Sequence, residues 1–196
     1  ERGVEQVDLI VSDALSGIEN AVSSAFPTAR HQFCVAHLLR EMSAHVSRKD
    51  AALLRAEFKE VLILSIESSS VSSASQYTEF QQFIERWSKK FPSFRRYKNP
   101  RNMLYFTFLD YPCAFRRMLY TTNRIERLNR SYKRTLRMRG AMPNSDSVLF
   151  LLGSVAMQMT ETTYARPIAI FKDWITLCSS DALRYGASRK SPSLGA

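Results

Sequence analysis

The alternation of strand-like and helix-like segments over the first 46 residues restricts the fold more than any other feature of the sequence. Residues 4–12 are rich in Val, Ile and Leu and lead to Asp13, which is typical of a buried strand that ends in an acid. Apolar residues at helical spacing follow over 16–26, a second short strand is predicted over 31–35, and a second helix over 36–46. This order predicts an α/β fold for the start of the chain.

The middle of the chain predicts helices only. Apolar stripes over 53–62 and 77–87 indicate two amphipathic helices, and Trp87 on the second stripe is expected in the core. The serine-rich segment 65–75 between them predicts a loop. Residues 91–102, which include two prolines, predict a turn-rich connector.

Four more helices are predicted towards the carboxyl end. They run from Pro112 to about Leu119, from a cap at 121–123 to about 139, from a cap at Asn144 or Ser145 to about 163, and from Pro167 onward. The polar segment 181–196 predicts a disordered tail.

Composition restricts the class of protein. The chain has 28 Lys and Arg against 18 Asp and Glu, a net charge of +10, and 45% apolar residues, which excludes a disordered or fibrous protein. The longest mostly apolar stretch, 148–159, is too short to span a bilayer, so we expect a soluble protein with no membrane partner. Three cysteines without a repeating spacing predict no disulfide framework and a reducing, intracellular setting.

The positive charge is concentrated in one segment. Between residues 116 and 139 there are nine basic residues and one acid, Glu126. Clustered Lys and Arg attract phosphates and release the counterions condensed on nucleic acid. We therefore favour a nucleic-acid surface over a merely solvated face. The basic residues are Arg116, Arg117, Arg124, Arg127, Arg130, Lys133, Arg134, Arg137 and Arg139.

The predicted helix that carries this charge has two faces. Its apolar stripe consists of Ile125, Leu128, Tyr132 and Leu136, and its polar stripe of Glu126, Asn129, Arg130, Lys133 and Arg137. On composition alone, Glu126 is most simply an ion-paired surface residue. The alternative is a ligand for Mg²⁺, which favours carboxylate oxygens together with substrate phosphates. A second carboxylate is then needed, and Asp13 at a strand end is the natural partner, whereas Asp8 points to the opposite strand face.

Cys34 and His37 invite a zinc interpretation, because His31 completes a His-x-x-Cys-x-x-His pattern. A closed zinc site needs four ligands, and no second Cys/His cluster follows in the sequence. From the residues alone, the simplest interpretation is that Cys34 is buried in a strand and that His37 caps or packs on the next helix.

Several segments, in order and spacing, resemble the catalytic core of Mutator-type transposases of bacterial insertion sequences. They are VSDALSG at 11–17, Phe26-Pro27, QFCVAH at 32–37 and YTTNRIERLNR at 120–130. The pattern Tyr-Thr-Thr-Asn-x-Ile-Glu-x-x-Asn-Arg after a Cys-x-x-His is specific, and the likeness extends over about residues 7–174.

The resemblance implies a ribonuclease-H-like fold with an Asp-Asp-Glu triad, in which Asp13 is the second aspartate and Glu126 the glutamate. The first aspartate is expected on a strand before residue 1, so the chain is expected to be a fragment that is inactive alone. Residues 1–49 would belong to the α/β core, 50–115 to a helical insertion and 116–180 to carboxyl-terminal helices of the core.

The implied chemistry is Mg²⁺-dependent cleavage and strand transfer at transposon ends, with Mn²⁺ as a substitute for Mg²⁺. Transposon and target DNA, and further copies of the chain, are the implied partners, in the nucleoid of a bacterial cytoplasm. The residues expected to hold DNA phosphates are Arg124, Arg127, Arg130, Lys133, Arg134 and Arg137. Those expected to support the site are Cys34, His37, Asn123 and Asn129. The resemblance implies that His37 contacts a phosphate or steadies a metal-binding acid, and this interpretation stays open beside the structural one. In other transposases of this fold an aromatic residue of the insertion stacks on a flipped base, whereas Trp87 is expected in the core.

Two other function classes remain. A non-catalytic, nucleic-acid-binding remnant would bind DNA in a salt-dependent manner without a need for Mg²⁺. A helical protein-interaction module would bind DNA weakly even at low salt, and the charge of +10 argues against it.

Overall fold

Two parallel strands joined by a helix form the start of the fold. The structure is a computed structural model and describes residues 6–163 and 171–172. β1 (Leu9–Ser12) pairs with β2 (Arg30–Phe33), with Leu9 opposite Arg30 and Ser12 opposite Phe33. α1 (Ile18–Ala25) connects the strands and α2 (Val35–Ala44) follows β2. The α/β prediction is confirmed, whereas a two-stranded sheet does not confirm a ribonuclease-H-like core.

β1 is half-buried along its whole length rather than buried as the sequence predicts. In the part of the chain that the structure describes, β2 is the only strand that pairs with β1, so the other edge of β1 has no strand beside it. The turn after β1 ends at Gly17, whose φ of 80° lies in the left-handed region that side-chain-bearing residues rarely adopt. This turn brings the start of α1 close to Asp13.

The two predicted amphipathic helices form, but the loop between them is shorter than predicted. α3 (Arg48–Glu67) and α4 (Ser73–Lys90) leave only residues 68–72 between them. The Ser72 hydroxyl accepts from the Ser75 amide, and the Ser75 hydroxyl accepts from the Ser72 amide. This reciprocal cap starts α4 inside the serine-rich segment, because serine satisfies the free amides of a helix start.

The segment after α4 is helical rather than a turn-rich connector. It folds into three 3₁₀ helices, Pro92–Lys98, Pro100–Tyr105 and Thr107–Asp110. Proline stands at the start of the first two, where its missing N–H costs nothing. Burial of aromatic side chains, including Phe94 and Phe108, holds these short helices in place.

The core lies between α3, α4 and the 3₁₀ helices and is aromatic. Its fully buried rings are Phe33, Phe58, Phe80, Phe83, Phe94, Phe106, Phe108 and Phe115. Trp87 is 6% exposed, stacks on Phe94 with centroids 5.9 Å apart, and donates from its indole N–H to Glu57 at 3.0 Å. A ring packed in this way is not available to stack on a nucleic-acid base, as the sequence analysis expects.

Gln32 links the sheet to this helical core. Its side chain is fully buried, donates to the Tyr105 carbonyl at 2.8 Å and accepts from the Phe108 amide at 2.7 Å. These bonds satisfy backbone groups at the ends of 3₁₀ helices that have no partner within their own helix. The α/β part and the helical core therefore share hydrogen bonds as well as apolar contacts.

One residue of the predicted basic surface, Arg116, lies instead on the buried side of α5 (Cys113–Leu119). Arg116 is only 3% exposed, and its guanidinium donates to the backbone carbonyls of Leu109, Tyr111 and Ser68 at 2.6 to 2.9 Å. Arg116 was predicted on the nucleic-acid surface because of its charge, without regard to the face of α5 on which it lies. It is a structural residue that joins three segments.

α6 (Asn123–Arg139) and α7 (Ser145–Thr162) lie at the surface, with the starts that the sequence predicts. On the predicted apolar stripe of α6, Leu128, Tyr132 and Leu136 are half-buried, whereas Ile125 is 59% exposed. The predicted helix after Pro167 and the tail 181–196 lie outside the described residues, apart from Phe171, which stacks on Phe115. The proposed divisions after residues 49, 115 and 180 stay predictions.

Candidate active site

The carboxylates of Asp13 and Glu126 meet beside α2. Asp13 follows β1, and Glu126 lies in the first turn of α6. The backbone brings these elements together: the Cys34 amide donates to the Ser12 carbonyl at 2.8 Å, and the Val35 amide donates to the Tyr120 carbonyl at 2.9 Å. Two acids 113 positions apart in the sequence thus converge on the first turn of α2.

His37 lies between the two carboxylates. Its Nδ1 is 2.8 Å from Asp13 Oδ1, and its Nε2 is 2.9 Å from Glu126 Oε1. The Nδ1 atom is buried, and despite this short distance it has no hydrogen-bond partner of good geometry in the described part of the chain. The imidazole therefore separates the acids and fixes the gap between them.

A tether from Cys34 to Thr122 holds the start of α6 against α2. The Cys34 sulfur is fully buried and accepts from both the amide and the hydroxyl of Thr122, each at 3.3 Å. Thr122 is the residue before the first turn of α6, so this contact sets the position of Glu126. Cys34 acts as a structural acceptor here, which agrees with the burial that the sequence analysis left open.

Arg101 holds the turn that follows Asp13. Its guanidinium donates to the carbonyls of Ala14 and Leu15, at 3.1 and 2.6 Å, and to the Glu19 carboxylate, and it lies 4.8 Å from the centre of the Phe33 ring. The hydrogen bond from Arg101 lowers the pKa of Glu19. A residue of the helical core thus fixes the backbone on which Asp13 stands.

We expect Arg101→Met to lower the free energy of unfolding by about 2 kcal/mol at pH 7, because two backbone carbonyls lose a charged donor and a partly exposed ion pair adds under about 1 kcal/mol. Because the pKa of Glu19 is lowered in the folded state, its contribution is complete above its ordinary pKa and is lost as the pH falls through the lowered value. Urea denaturation at pH 7 and at pH 3 measures both effects.

The matched control for that experiment is Arg55→Met, since Arg55 is exposed on α3 and forms no ion pair with the described residues. A loss of stability in the Arg101 variant no greater than in this control would contradict the role of Arg101 in holding the turn. An unchanged loss at pH 3 would contradict the contribution of its ion pair with Glu19.

The carboxylates open into a cavity of about 690 Å³ lined with cations. Four of the predicted phosphate-binding residues line it, namely Arg130, Lys133, Arg134 and Arg137, together with Asn129. Arg127 and Asn123 are exposed on α6 but do not line this cavity, and the side chain of Arg124 lies outside the described part. The arrangement suits a polyanion whose backbone runs along α6 and passes the acids.

Arg40 is a site residue that the sequence analysis missed. It lies on α2 and lines the cavity opposite α6, with its Nη2 3.7 Å from Glu126 Oε2. The signal for it was available, because residues three apart share one face of a helix and Arg40 follows His37 by three. The cations of the cavity therefore come from two elements, not from α6 alone.

The donors at this site fit a divalent cation. Asp13, Cys34 and His37 each place a ligand atom within 4.8 Å of the others, whereas Glu126 is outside this group and contacts it through His37 Nε2. Mg²⁺ typically binds one or two carboxylates and completes its coordination with water and substrate phosphates, which suits Asp13 and Glu126 at the mouth of an open cavity. The Nδ1 atom of His37, buried and without a hydrogen bond of good geometry, lies 2.8 Å from the Asp13 carboxylate.

A zinc site built on His31, Cys34 and His37 finds no support in the geometry. The His31 Nε2 lies 2.7 Å from the Ser12 hydroxyl, and burial lowers the pKa of this imidazole. His31 does not belong to the cluster of possible metal ligands in the described residues.

Carboxylates set in a cation-lined cavity are typical of proteins that act on phosphate backbones. Comparison with known proteins gives the family: residues 1–165 match the model for transposases of the Mutator family, and the chain belongs to that family. The family assignment made from the sequence motifs is confirmed. None of the described helices is long and apolar enough to cross a membrane.

Curated relatives agree with this assignment. The chain is 31% identical to the transposase for insertion sequence element IS905 of Lactococcus lactis over 148 residues, which cover 75% of this chain and 36% of the relative. It is 28% identical to the transposase for IS1201 of Lactobacillus helveticus, with coverage of 80% and 41%, and 25% identical to the transposase for ISRM3 of Rhizobium meliloti, with coverage of 94% and 44%. The chain thus spans less than half of the length of these relatives.

Proposed function

We propose that this chain carries two of the three acids of an Asp-Asp-Glu transposase, Asp13 and Glu126, which cleaves DNA at transposon ends and transfers the strands. The observation that carries the proposal is the convergence of the two acids on His37 at the edge of a cation-lined cavity. Family membership supports the same function.

Each group of residues has a separate task in this proposal. Asp13 and Glu126 would hold Mg²⁺ or Mn²⁺, which when bound polarises the phosphodiester and lowers the pKa of the attacking water or hydroxyl. Lys133, Arg137 and Arg40 would bind the flanking phosphates from two sides. His37 would keep the acids apart, and the Cys34–Thr122 tether would hold α6 in register.

The proposal extends to the remainder of the protein. We propose that the parallel pair β1 and β2 belongs to a larger ribonuclease-H-like sheet, that the first aspartate lies before residue 1, and that this chain alone does not cleave DNA. The protein would act as a homo-oligomer on two transposon ends, in the nucleoid of a bacterial cell.

Metal binding by the chain itself tests the role of Asp13. We expect the chain to bind Mn²⁺ and Asp13→Asn to weaken this binding at least about tenfold, because even residues that only support a metal ligand contribute 10- to 100-fold to affinity. Titration calorimetry or Mn²⁺ electron paramagnetic resonance measures the constant without any need for activity.

Asp146→Asn is the matched control, since this acid lies in the first turn of α7, away from the site, and its loss removes the same charge. Equal Mn²⁺ affinity in the Asp13 and Asp146 variants would contradict the metal role. Salt-dependent DNA binding without any Mn²⁺ binding would instead favour the non-catalytic remnant.

A further inference from the structure

A second basic segment lies in the helical core, over residues 86–101. Seven Lys and Arg residues occur between positions 86 and 101, and there is no Asp or Glu from 86 to 109. The aromatic residues between them, including Trp87 and Phe94, are buried, so the charged residues are directed outward from the end of α4 and from the first 3₁₀ helix. The basic residues are Arg86, Lys89, Lys90, Arg95, Arg96, Lys98 and Arg101.

These cations differ in their partners. Lys90 pairs with Asp50, Lys98 with Glu85, Arg96 with Glu41 and Arg101 with Glu19. Arg86, Lys89 and Arg95 are exposed and have no carboxylate partner in the described part of the chain. We define the helical-core patch as Arg86, Lys89, Arg95, Arg96 and Lys98.

Glu41 pairs with Arg96, and the other acid beside the patch is Glu85, which pairs with Lys98. The hydrogen bond from Lys98 lowers the pKa of this carboxylate, and the nearby charges of Lys98, Lys89 and Arg95 lower it further. One carboxylate thus faces three cations from two elements, so the local charge stays positive. A surface that kept its cations only for solubility would be expected to intersperse both signs.

Helix α2 connects the patch to the candidate active site. His37, Arg40 and Glu41 share one face of α2 because they are three and four positions apart. His37 contacts both site carboxylates, Arg40 contacts Glu126, and Glu41 lies 3.4 Å from Arg96. Arg96 therefore reaches α2 about one turn, or about 6 Å, beyond the site.

We propose that the helical-core patch is a second binding surface for the DNA backbone, which holds the duplex that flanks the cleavage position. This inference rests on the proposed function, since it needs DNA in the cavity of Asp13 and Glu126. Successive phosphates of one strand are about 3.4 Å apart along the helix axis. A phosphate bound by Arg96 would thus be only a few nucleotides from the one at the carboxylates.

The test removes two patch cations that have no carboxylate partner. The double variant Lys89→Gln/Arg95→Gln should bind a 30-base-pair duplex about tenfold or more weakly at 100 mM salt, and the slope of log K against log salt should become shallower by about 1.8, since each lost phosphate contact contributes about 0.9. Fluorescence anisotropy without a divalent metal measures both quantities on the 196-residue chain.

The matched control is Arg55→Gln/Lys59→Gln, which removes the same charge from exposed positions on α3 that form no ion pair with described residues. Lys133→Gln/Arg137→Gln in the cavity is the positive comparison and should give a similar change in slope. Equal slopes for the patch variant and the α3 control would overturn the inference.

The design separates this inference from the proposed function. A loss of affinity in the patch variant supports the second surface even if the metal experiment fails, because no metal is present. Full affinity in the patch variant, together with a loss in the Lys133/Arg137 variant, overturns the patch alone. An unmodified chain that does not bind duplex DNA at low salt overturns both the patch and the DNA-binding part of the proposed function.

Discussion

Replacing Glu126 with Gln is expected to reduce Mn²⁺-dependent nicking of duplex DNA at least about a hundredfold, since loss of a direct metal ligand should exceed the 10- to 100-fold effects of supporting residues. The assay uses a form of the protein that carries all three proposed acids. The amide has the size of the carboxylate but lacks its charge, so the fold should persist. DNA affinity should stay the same or rise, because the Gln side chain does not repel phosphates.

Glu60→Gln is the matched control for this assay. Glu60 is exposed on α3, so its loss changes the net charge equally without touching the site. A Glu126 variant that nicks DNA as fast as the unmodified protein would remove Glu126 from the metal site. Equal binding by all variants, with no nicking by any of them at any metal concentration, would favour the non-catalytic remnant.

Replacing Arg116 with Met should destabilise the fold most strongly, by about 3–5 kcal/mol in the free energy of unfolding. Its guanidinium donates to three backbone carbonyls, of Ser68, Leu109 and Tyr111, in a nearly dry environment. Met fills a similar volume but leaves these carbonyls without their charged donor, and each unsatisfied buried group costs about 1–3 kcal/mol. Urea denaturation followed by circular dichroism measures the loss.

The next residue is the control for this prediction. Arg117 is exposed and its Nη2 lies 2.5 Å from Glu67 Oε1, so Arg117→Met should cost less than about 1 kcal/mol. Arg116→Lys should fall between the two, because an ammonium keeps the charge but not the planar set of donors. Similar losses for the Met variants at 116 and 117 would show that the network around Arg116 contributes little.

Local patterns predicted the elements of this fold well, because helical periodicity and caps depend on neighbouring residues. Asn144 starts α7 as predicted, with its side chain accepting from the Ser147 amide. The 3₁₀ helices over 92–110 were not predicted, because their stability comes from aromatic burial against α4, and no periodicity in the sequence reports it. Arg116 was misassigned for a similar reason, since its partners lie in other segments.

The sequence predicted most residues of the candidate site but not how they are arranged. The residue pattern paired Asp13 with Glu126 and the resemblance added His37, yet neither spacing nor composition indicates that one imidazole contacts both acids. Arg40 and the helical-core patch were not predicted as binding residues. The prediction rested on the segment with the highest density of charge, 116–139, whereas these cations are distributed over other elements. Charge that is dispersed in sequence can be concentrated in space, and only the fold shows where.

Hydrogen bonds join the helical core to the part of the chain that carries Asp13. Arg101 donates to the turn after Asp13, and Gln32 bonds to the 3₁₀ helices. The core and the carboxylate-bearing turn form one cooperative element, since opening the 3₁₀ helices removes the donor that fixes the turn. A deletion that removes residues 50–115 would therefore not leave a trimmed but competent site. It would leave Asp13 on a turn without the charged donor that holds its backbone.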